Sequence, residues 1–538
     1  MQGVSSAPGR DRRRRAALVC IGTLALVAGC TSTVEAGHGA LAGQSSAPSS
    51  SPAASSSAGQ VPVPTQAPAN FSDCSDRVNI SALGLPAGRQ QKLSFDCAVI
   101  NVPLDYSHPS QGVVNLQLIK VHDSDNKGTD SLIVNPGGPG ASGLELALGL
   151  AGELSDTVLS HFDLIGFDPR GVGASSPIEC LSDAQKDSLN AASPDVRTAA
   201  GFVEAKALAK SVADKCAAKY GKNLAQYNTV QTAKDMNQIR QAVGDKQLNY
   251  LGFSYGTELG AQYAHLFPGT VRVAVLDGAV DPLTDDITSF ADQLEGFEGA
   301  FDQFAAWCRQ HSPCSQLGNP RQAVMRIAAA AKASPIPSSA PGETRKATSS
   351  IVYTGVLSAL YSQAQWKTLG QALLAAESGD SKGIFGLADS YNERYNGHYT
   401  NVSEANTTIN CNDSKPGPSD PTIRKTAQSW ATRFPMFGLW SAPALFSCQQ
   451  WQPDRTVPPL PTATATPNKV LVIGNLHDPA TPYQGAKDLD KTLGNAELLT
   501  WDGEGHTSYL QGSKCIDNYV NAYLVKGTMP PAGTTCPR

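Results

Sequence analysis

Along the chain, short runs of β-branched and aliphatic residues alternate with longer stretches whose apolar positions recur every three or four residues. That rhythm predicts an α/β fold, a mostly parallel sheet with crossover helices: a strand buried on both faces reads as a continuous apolar run, and its covering helix as one apolar stripe. The predicted strands are 113–121, 131–135, 162–166, 248–253, 271–276, 469–474 and 497–500. Between the third and fourth, Val230, Ala233, Met236, Ile239 and Val243 fall at helical spacing on one face, which is ordinary core packing. From about 285 to 467 the rhythm lapses into aromatic and Ala-rich helical stretches and then resumes. An inserted helical cap accounts for the interruption.

The N-terminus departs from this pattern. Arg10 and Arg12 to Arg15 precede an apolar run, 16–28, which is too short for a bilayer-spanning helix of about 20 residues. The run ends in Leu26-Val27-Ala28-Gly29-Cys30, which resembles the lipobox of bacterial lipoprotein signal peptides. The resemblance implies cleavage before Cys30 and a lipid anchor on its thiol. An ordinary secretory signal also wants small residues there, and either reading places the mature protein outside the cytoplasm. Residues 40–70 are dominated by Ala, Ser, Gly, Pro and Gln, too little apolar surface to offset the entropy of ordering. The expected organisation is therefore signal peptide 1–30, disordered tether 31–70, core 71–285, helical cap 286–467 and a second part of the core, 468–538.

Charge narrows the function classes. Lys+Arg total 42 against Asp+Glu 47, a net −5, and no basic surplus marks a nucleic-acid binder. Of 12 cysteines, Cys20 lies in the signal and Cys30 at the lipid site. The other ten are Cys74, Cys97, Cys180, Cys216, Cys308, Cys314, Cys411, Cys448, Cys515 and Cys536. An even number outside the cytoplasm argues for disulfides, and the lack of CxxC spacing or a histidine cluster argues against zinc. Sequence does not determine their connectivity; pairing in chain order is the expectation.

The chemistry begins at Gly252-Phe253-Ser254-Tyr255-Gly256, a G-x-S-x-G between a predicted strand and a predicted helix. A serine on such a tight turn is held in strained backbone geometry with its hydroxyl exposed, and the helix dipole is directed at the reacting centre. A serine nucleophile needs a base and an acid that orients it, here expected later in the chain on loops after strands. His506, in Gly503-Glu504-Gly505-His506-Thr507, fits the base; His477 competes but leaves no acid-then-base order. Asp478, on the Pro-flanked loop after strand 469–474, fits the acid, with Asp277 one strand earlier as the alternative. For the oxyanion, Tyr255 supplies one backbone N–H and the loop Asn135-Pro136-Gly137-Gly138-Pro139-Gly140 the other; Gly138 is preferred because Pro139 has none. The same loop contains a G-x-G-x-x-G, Gly138 to Gly143, with Asp163 twenty residues after Gly143, so a dinucleotide site is a formal competitor. That reading leaves Ser254, Asp478 and His506 unexplained.

Together the loop Asn135 to Gly140, the run Gly166-Phe167-Asp168-Pro169-Arg170-Gly171-Val172-Gly173, the elbow at Ser254 and the Asp478 and His506 loops resemble the secreted tripeptidyl aminopeptidases. These are proline-iminopeptidase-like α/β-hydrolases, and the resemblance spans roughly 71–538, including a C-terminal segment characteristic of that branch. Proline iminopeptidases usually begin the glycine loop with His where this chain has Asn135 and Pro136, so a proline-only specificity is not implied. The resemblance implies a serine exopeptidase without metal or organic cofactor, releasing di- or tripeptides through an acyl-enzyme on Ser254. Exopeptidase action also needs a carboxylate for the free α-amine. Candidates are Glu295 and Glu298 in the cap, and Asp413 in a Cys-to-Asp stretch of a kind frequent in this family. Asp168 and Arg170 are expected to stabilise the loop above the sheet. An exported esterase or lipase could use the same serine chemistry. A binding lipoprotein would share the anchor and tether but has no reason to hold the three residues in this order.

Overall fold

All seven predicted runs lie in one ten-stranded sheet of the computed structural model. The structure describes residues 65–453 and 466–538 apart from Gly84, Pro86 and Thr129. The expected signal peptide, the Cys30 site and most of the expected tether lie outside these residues. The strands are β1 (Ser72–Asp73), β2 (Leu93–Pro103), β3 (Val113–Asp123), β4 (Ser131–Asn135), β5 (Asp163–Phe167), β6 (Leu248–Phe253), β7 (Val271–Asp277), β8 (Val470–His477), β9 (Ala496–Glu504) and β10 (Thr535–Cys536). They lie in the order β1-β2-β3-β5-β4-β6-β7-β8-β9-β10. Pairing is antiparallel from β1 to β5 and parallel from β5 onward.

Every residue of β4 and β6 is buried, including Asn249, whose Nδ2 donates to Ser131 O. The strand absent from the sequence reading, β2, shows why it was missed. It pairs with β3 along its whole length, but its buried positions change face, Leu93 and Phe95 packing on one side of the sheet and Ile100 and Val102 on the other. Because β5 lies on one side of β4 and β6 on the other, the winding reverses at β4. The crevice beyond the carboxyl ends of β4 and β6 is where such sheets bind ligands.

Helices cover both faces. Thr229–Ala242, Tyr255–Leu266 and Tyr483–Leu493 pack Met236, Ile239, Leu259 and Leu489 on one side, and Gly143–Glu153 and Lys514–Lys526 pack Leu146, Leu150, Val520 and Leu524 on the other. The insertion is mainly helical, from Asp286–Gln310 onward, with two short two-stranded hairpins. It has its own core of Phe297, Phe301, Phe304, Trp366 and Phe437. Burying each such ring is worth about 1.5–3 kcal/mol.

The cap boundary drawn along the chain is not a boundary in space. Val196, Phe202 and Ala205 precede the insertion yet pack into the cap core. Conversely, helix Val402–Asp413 lies within it yet packs Ala405, Ile409 and Cys411 against the sheet's helices. The ten cysteines pair in chain order: Cys74–Cys97, Cys180–Cys216, Cys308–Cys314, Cys411–Cys448 and Cys515–Cys536. The last residues of the expected tether are docked, Gln66 N–H donating to Gln241 Oε1 and Ala69 N–H to Ala242 O.

Candidate active site

Strand β6 turns into helix Tyr255–Leu266 through Ser254, whose backbone sits at φ 55° and ψ −124°, in the left-handed half of conformational space. A non-glycine residue there costs about 1–3 kcal/mol and persists only where its surroundings impose it. The surroundings are tight. A Cβ on Gly252 would stand 2.5 Å from Gly256 O, and one on Gly137 would stand 2.5 Å from Phe253 O and 2.9 Å from Ser254 Cβ. The glycine loop after β4 thus abuts the serine turn, and the same Gly137 Cβ would stand 3.0 Å from Tyr255 N. Asn135 shapes that loop, its Oδ1 accepting Gly137 N–H at 3.0 Å. Helix Val402–Asp413 lies over it, Asn406 Nδ2 donating to Pro139 O at 3.0 Å.

His506 and Asp478 meet beyond the carboxyl ends of β8 and β9. His506 Nδ1 lies 2.9 and 3.0 Å from the two Asp478 oxygens, which leaves Nε2 to face a substrate or hydroxyl. Asp478 is buried, and its carboxylate also receives the N–H groups of Ala480 at 2.9 Å, Thr481 at 2.8 Å and Thr507 at 2.9 Å. Thr481 Oγ1 lies 3.3 Å from His506 Nδ1. The cap contributes Tyr361, whose carbonyl accepts His506 N–H at 2.8 Å and whose ring meets the imidazole edge-on at 5.4 Å. Burial disfavours the imidazolium, but the charge and hydrogen bond of Asp478, with Asp277 adding, outweigh it and hold His506 above its ordinary 6.5.

Asp277 occupies a different place from the one an acid partner needs. Its carbonyl accepts Ser254 N–H at 2.9 Å, and its Oδ2 accepts the N–H groups of Ser508 at 3.0 Å and Tyr509 at 2.8 Å. It therefore ties the serine turn to the histidine loop. Burial, with the like charge of Asp478 adding, pushes it up to about 7 against the pull of those backbone donors and His506. Gly278 completes the tie: a Cβ there would stand 3.2 Å from His506 Cε1. His477 is set apart, paired with Asp502 at 3.3 Å.

The three carboxylates expected to meet the substrate diverge. Glu298 is committed to structure, pairing with Arg321 at 2.5 Å and accepting the N–H groups of Met436 at 2.7 Å and Phe437 at 3.1 Å. Glu295 is exposed and paired with Arg433 at 2.5 Å. Asp413 instead lies at the N-terminus of helix Thr229–Ala242, accepting Thr229 N–H at 3.1 Å and its hydroxyl at 2.6 Å. The Thr229 hydroxyl is in turn 2.5 Å from that of Tyr255, the residue after Ser254. Asp168 and Arg170 hold the loop after β5. Asp168 accepts from Ser142 Oγ at 2.5 Å and Ala174 N–H at 2.8 Å, and buried Arg170 pairs with buried Asp235 through two contacts of 2.7 Å. Asp163, the acid of the dinucleotide pattern, starts β5 at the opposite end of the sheet and bonds to His122 and Asn126.

One contributor had little sequence signal: Tyr361 reaches His506 only through the cap's tertiary packing.

The family model for the alpha/beta hydrolase fold matches residues 130–513. The chain is 40% identical over 459 residues to serine protease Hip1 of Mycobacterium tuberculosis, covering 82% of this chain and 87% of that one. It is 35% identical over 452 residues to carboxylesterase B of the same species (82% and 86% covered). It is 30% identical over 461 residues to tripeptidyl aminopeptidase of Streptomyces lividans (82% and 83% covered). The protein is an enzyme of the α/β-hydrolase family, a serine hydrolase related to serine protease Hip1 and to tripeptidyl aminopeptidase.

Proposed function

We propose that this enzyme is an exported serine aminopeptidase that releases di- or tripeptides from free N-termini through an acyl-enzyme on Ser254. The observation that carries the reading is the His506–Asp478 pair, beside a serine held in left-handed backbone geometry at a strand-to-helix turn. Ser254 Oγ attacks the carbonyl and gives its proton to His506 Nε2. Asp478 holds the imidazole with Nδ1–H toward itself and stabilises the imidazolium that forms. The N–H groups of Gly138 and Tyr255 take the oxyanion of the tetrahedral intermediate. His506 then protonates the leaving amine, and a water deprotonated by His506 cleaves the acyl-enzyme.

Of the three expected carboxylates, Asp413 is the one we assign to the substrate, because Glu295 and Glu298 already have basic partners. Export and a lipid anchor at Cys30 on the outer side of the cell membrane are part of the proposal; both rest on the N-terminal sequence pattern. The second reading, a cell-envelope carboxylesterase, is favoured by the relative named carboxylesterase B.

Product analysis by mass spectrometry separates the two. Residues 71–538 and the Ser254→Ala variant are given matched free and N-acetylated peptides and short-chain esters. Di- or tripeptides appearing only from free N-termini support the aminopeptidase. Ester cleavage without peptide cleavage overturns it in favour of the esterase.

A further inference from the structure

The loop assigned the oxyanion donor Gly138 cannot hold its own shape. Gly137, Gly138 and Gly140 have φ of +96°, +104° and +107°, and glycines bring no side chains to pack against their neighbours. The bond across the turn, Ala141 N–H to Gly137 O, is long at 3.4 Å. The turn is therefore shaped from outside. From the end of β4, Asn135 Oδ1 accepts Gly137 N–H. From the insertion, Asn406 Nδ2 donates to Pro139 O at 3.0 Å, one residue past Gly138. The approach there is close, since a Cβ on Gly140 would stand 2.8 Å from Val402 O and 3.1 Å from Asn406 N.

The helix that delivers Asn406 is fixed to the core at both ends. Asn401, its N-cap, donates through Nδ2 to Gly171 O at 2.7 Å and Ile178 O at 3.0 Å, and its Oδ1 accepts Gly173 N–H at 3.0 Å. Near the other end, Asn412 Nδ2 donates to Leu224 O at 2.8 Å and Tyr227 O at 2.9 Å. Between them buried Glu404 pairs with buried Lys186 at 2.9 Å. All of these partners precede the insertion. The amide itself is oriented, because Asn410 Nδ2 donates to Asn406 Oδ1 at 3.0 Å and so turns the NH2 group toward Pro139. Such rigidity matters where a donor must sit within about 0.5 Å of its productive position.

We propose that Asn406 is a positioning residue for the oxyanion site. Its bond to Pro139 O, with Asn410 orienting the amide, holds Gly138 N–H where the oxygen of the tetrahedral intermediate develops negative charge. Asn406 touches no reacting atom and acts through the loop. Its loss therefore raises the barrier while leaving the binding of unreacted substrate in place. Removing an oxyanion donor outright costs about 10²–10³ in kcat, and loosening one costs part of that. The inference rests on Ser254 as nucleophile and Gly138 as donor, and holds for a peptide or an ester substrate alike.

The test compares the natural enzyme with Asn406→Ala and Asn410→Ala, each produced as the full chain. Ala-Ala-Ala-aminomethylcoumarin reports turnover. The matching tripeptidyl trifluoromethyl ketone reports the oxyanion site: Ser254 Oγ adds to its carbonyl carbon, the serine proton passes to His506 and the carbonyl oxygen becomes the oxyanion. The corresponding alcohol, which cannot add, reports ground-state binding. In Asn406→Ala, kcat and ketone affinity are both expected to fall about 10- to 100-fold, with KM and alcohol affinity staying within about threefold. Asn410→Ala is expected to move the first two by about two- to fivefold in the same direction. A kcat within about twofold of the natural value, in an Asn406→Ala enzyme with native near-ultraviolet circular dichroism, overturns the inference. So does an equal loss of ketone and alcohol affinity, which marks a structural contact only. If Asn406→Ala does not fold, Asn410→Ala decides, and an unchanged ratio of ketone to alcohol affinity overturns the inference. Hydrolysis of esters alone by the natural enzyme removes the peptidase reading, and 4-nitrophenyl butyrate with the matching alkyl trifluoromethyl ketone and alcohol then carries the same comparison. A natural enzyme that binds the ketone no more tightly than the alcohol removes the oxyanion reading and this inference with it.

Discussion

Replacing Asp478 by asparagine probes the site at its most constrained atom. The carboxylate accepts from His506 Nδ1 and from three backbone N–H groups, those of Ala480, Thr481 and Thr507. An asparagine has one acceptor oxygen. If that oxygen stays with Ala480 and Thr481, its NH2 group faces both Thr507 N–H and His506. The imidazole must then offer an unprotonated Nδ1 as acceptor, and its proton moves to Nε2. The nitrogen that should take the serine proton is now blocked. Loss of the correct tautomer is worth about 10⁴-fold in kcat, or about 5.5 kcal/mol of transition-state stabilisation. The assay is steady-state hydrolysis of a tripeptide aminomethylcoumarin, with active sites counted by slow fluorophosphonate labelling and folding checked by near-ultraviolet circular dichroism. Asp277→Asn is the control. Both of its backbone donors reach a single oxygen, Oδ2, which the amide retains, so the loss there is expected to stay within about tenfold. A well-folded Asp478→Asn enzyme keeping a tenth or more of its kcat, or a larger loss in Asp277→Asn, would refute the assignment of the acid.

His506 must be neutral to act as base, and its neighbours hold it above 6.5, so the acid limb of kcat/KM should be centred above pH 6.5; a limb centred below 6 contradicts the geometry. Gly137→Ala places a Cβ 2.5 Å from Phe253 O at a backbone φ of +96°, and should cost about 2–5 kcal/mol in denaturant titrations together with most activity. Glu258, Asp277 and Asp413 bind their protons more tightly folded than unfolded, at about 7, 7 and 8 against 4.5, 3.8 and 3.8. Their stabilisation is complete below about pH 4 and is lost by the time pH has risen through 7–8, so these groups should lower Tm between about pH 4 and 8, which differential scanning calorimetry reads.

The parallel half of the sheet was legible because strands buried on both faces carry short apolar cores, such as Leu132-Ile133-Val134 in β4, with few polar positions. The antiparallel β2 was not, since its buried face switches from that of Leu93 and Phe95 to that of Ile100 and Val102 across Asp96 and Cys97, which breaks the period of two. Ser254, Asp478 and His506 were legible because each sits on a loop directly after a predicted strand, where chain order alone constrains the roles. The fate of the carboxylates was not. Whether Glu298 meets a substrate or Arg321 depends on which helices the cap brings together, and no local spacing encodes that. The cap boundary failed for the same reason, as Phe202 and Ile409 pack across it in opposite directions.

The central claim is that Ser254 is the acyl-accepting nucleophile, and covalent mapping tests it most directly. A tripeptidyl diphenyl phosphonate is incubated with residues 71–538, and the adduct is located by peptide mass spectrometry. The account predicts one phosphonyl group per chain, on the peptide containing Ser254, formed more slowly below the His506 titration and absent in Ser254→Ala. An adduct on another residue, or labelling that survives Ser254→Ala, would contradict it.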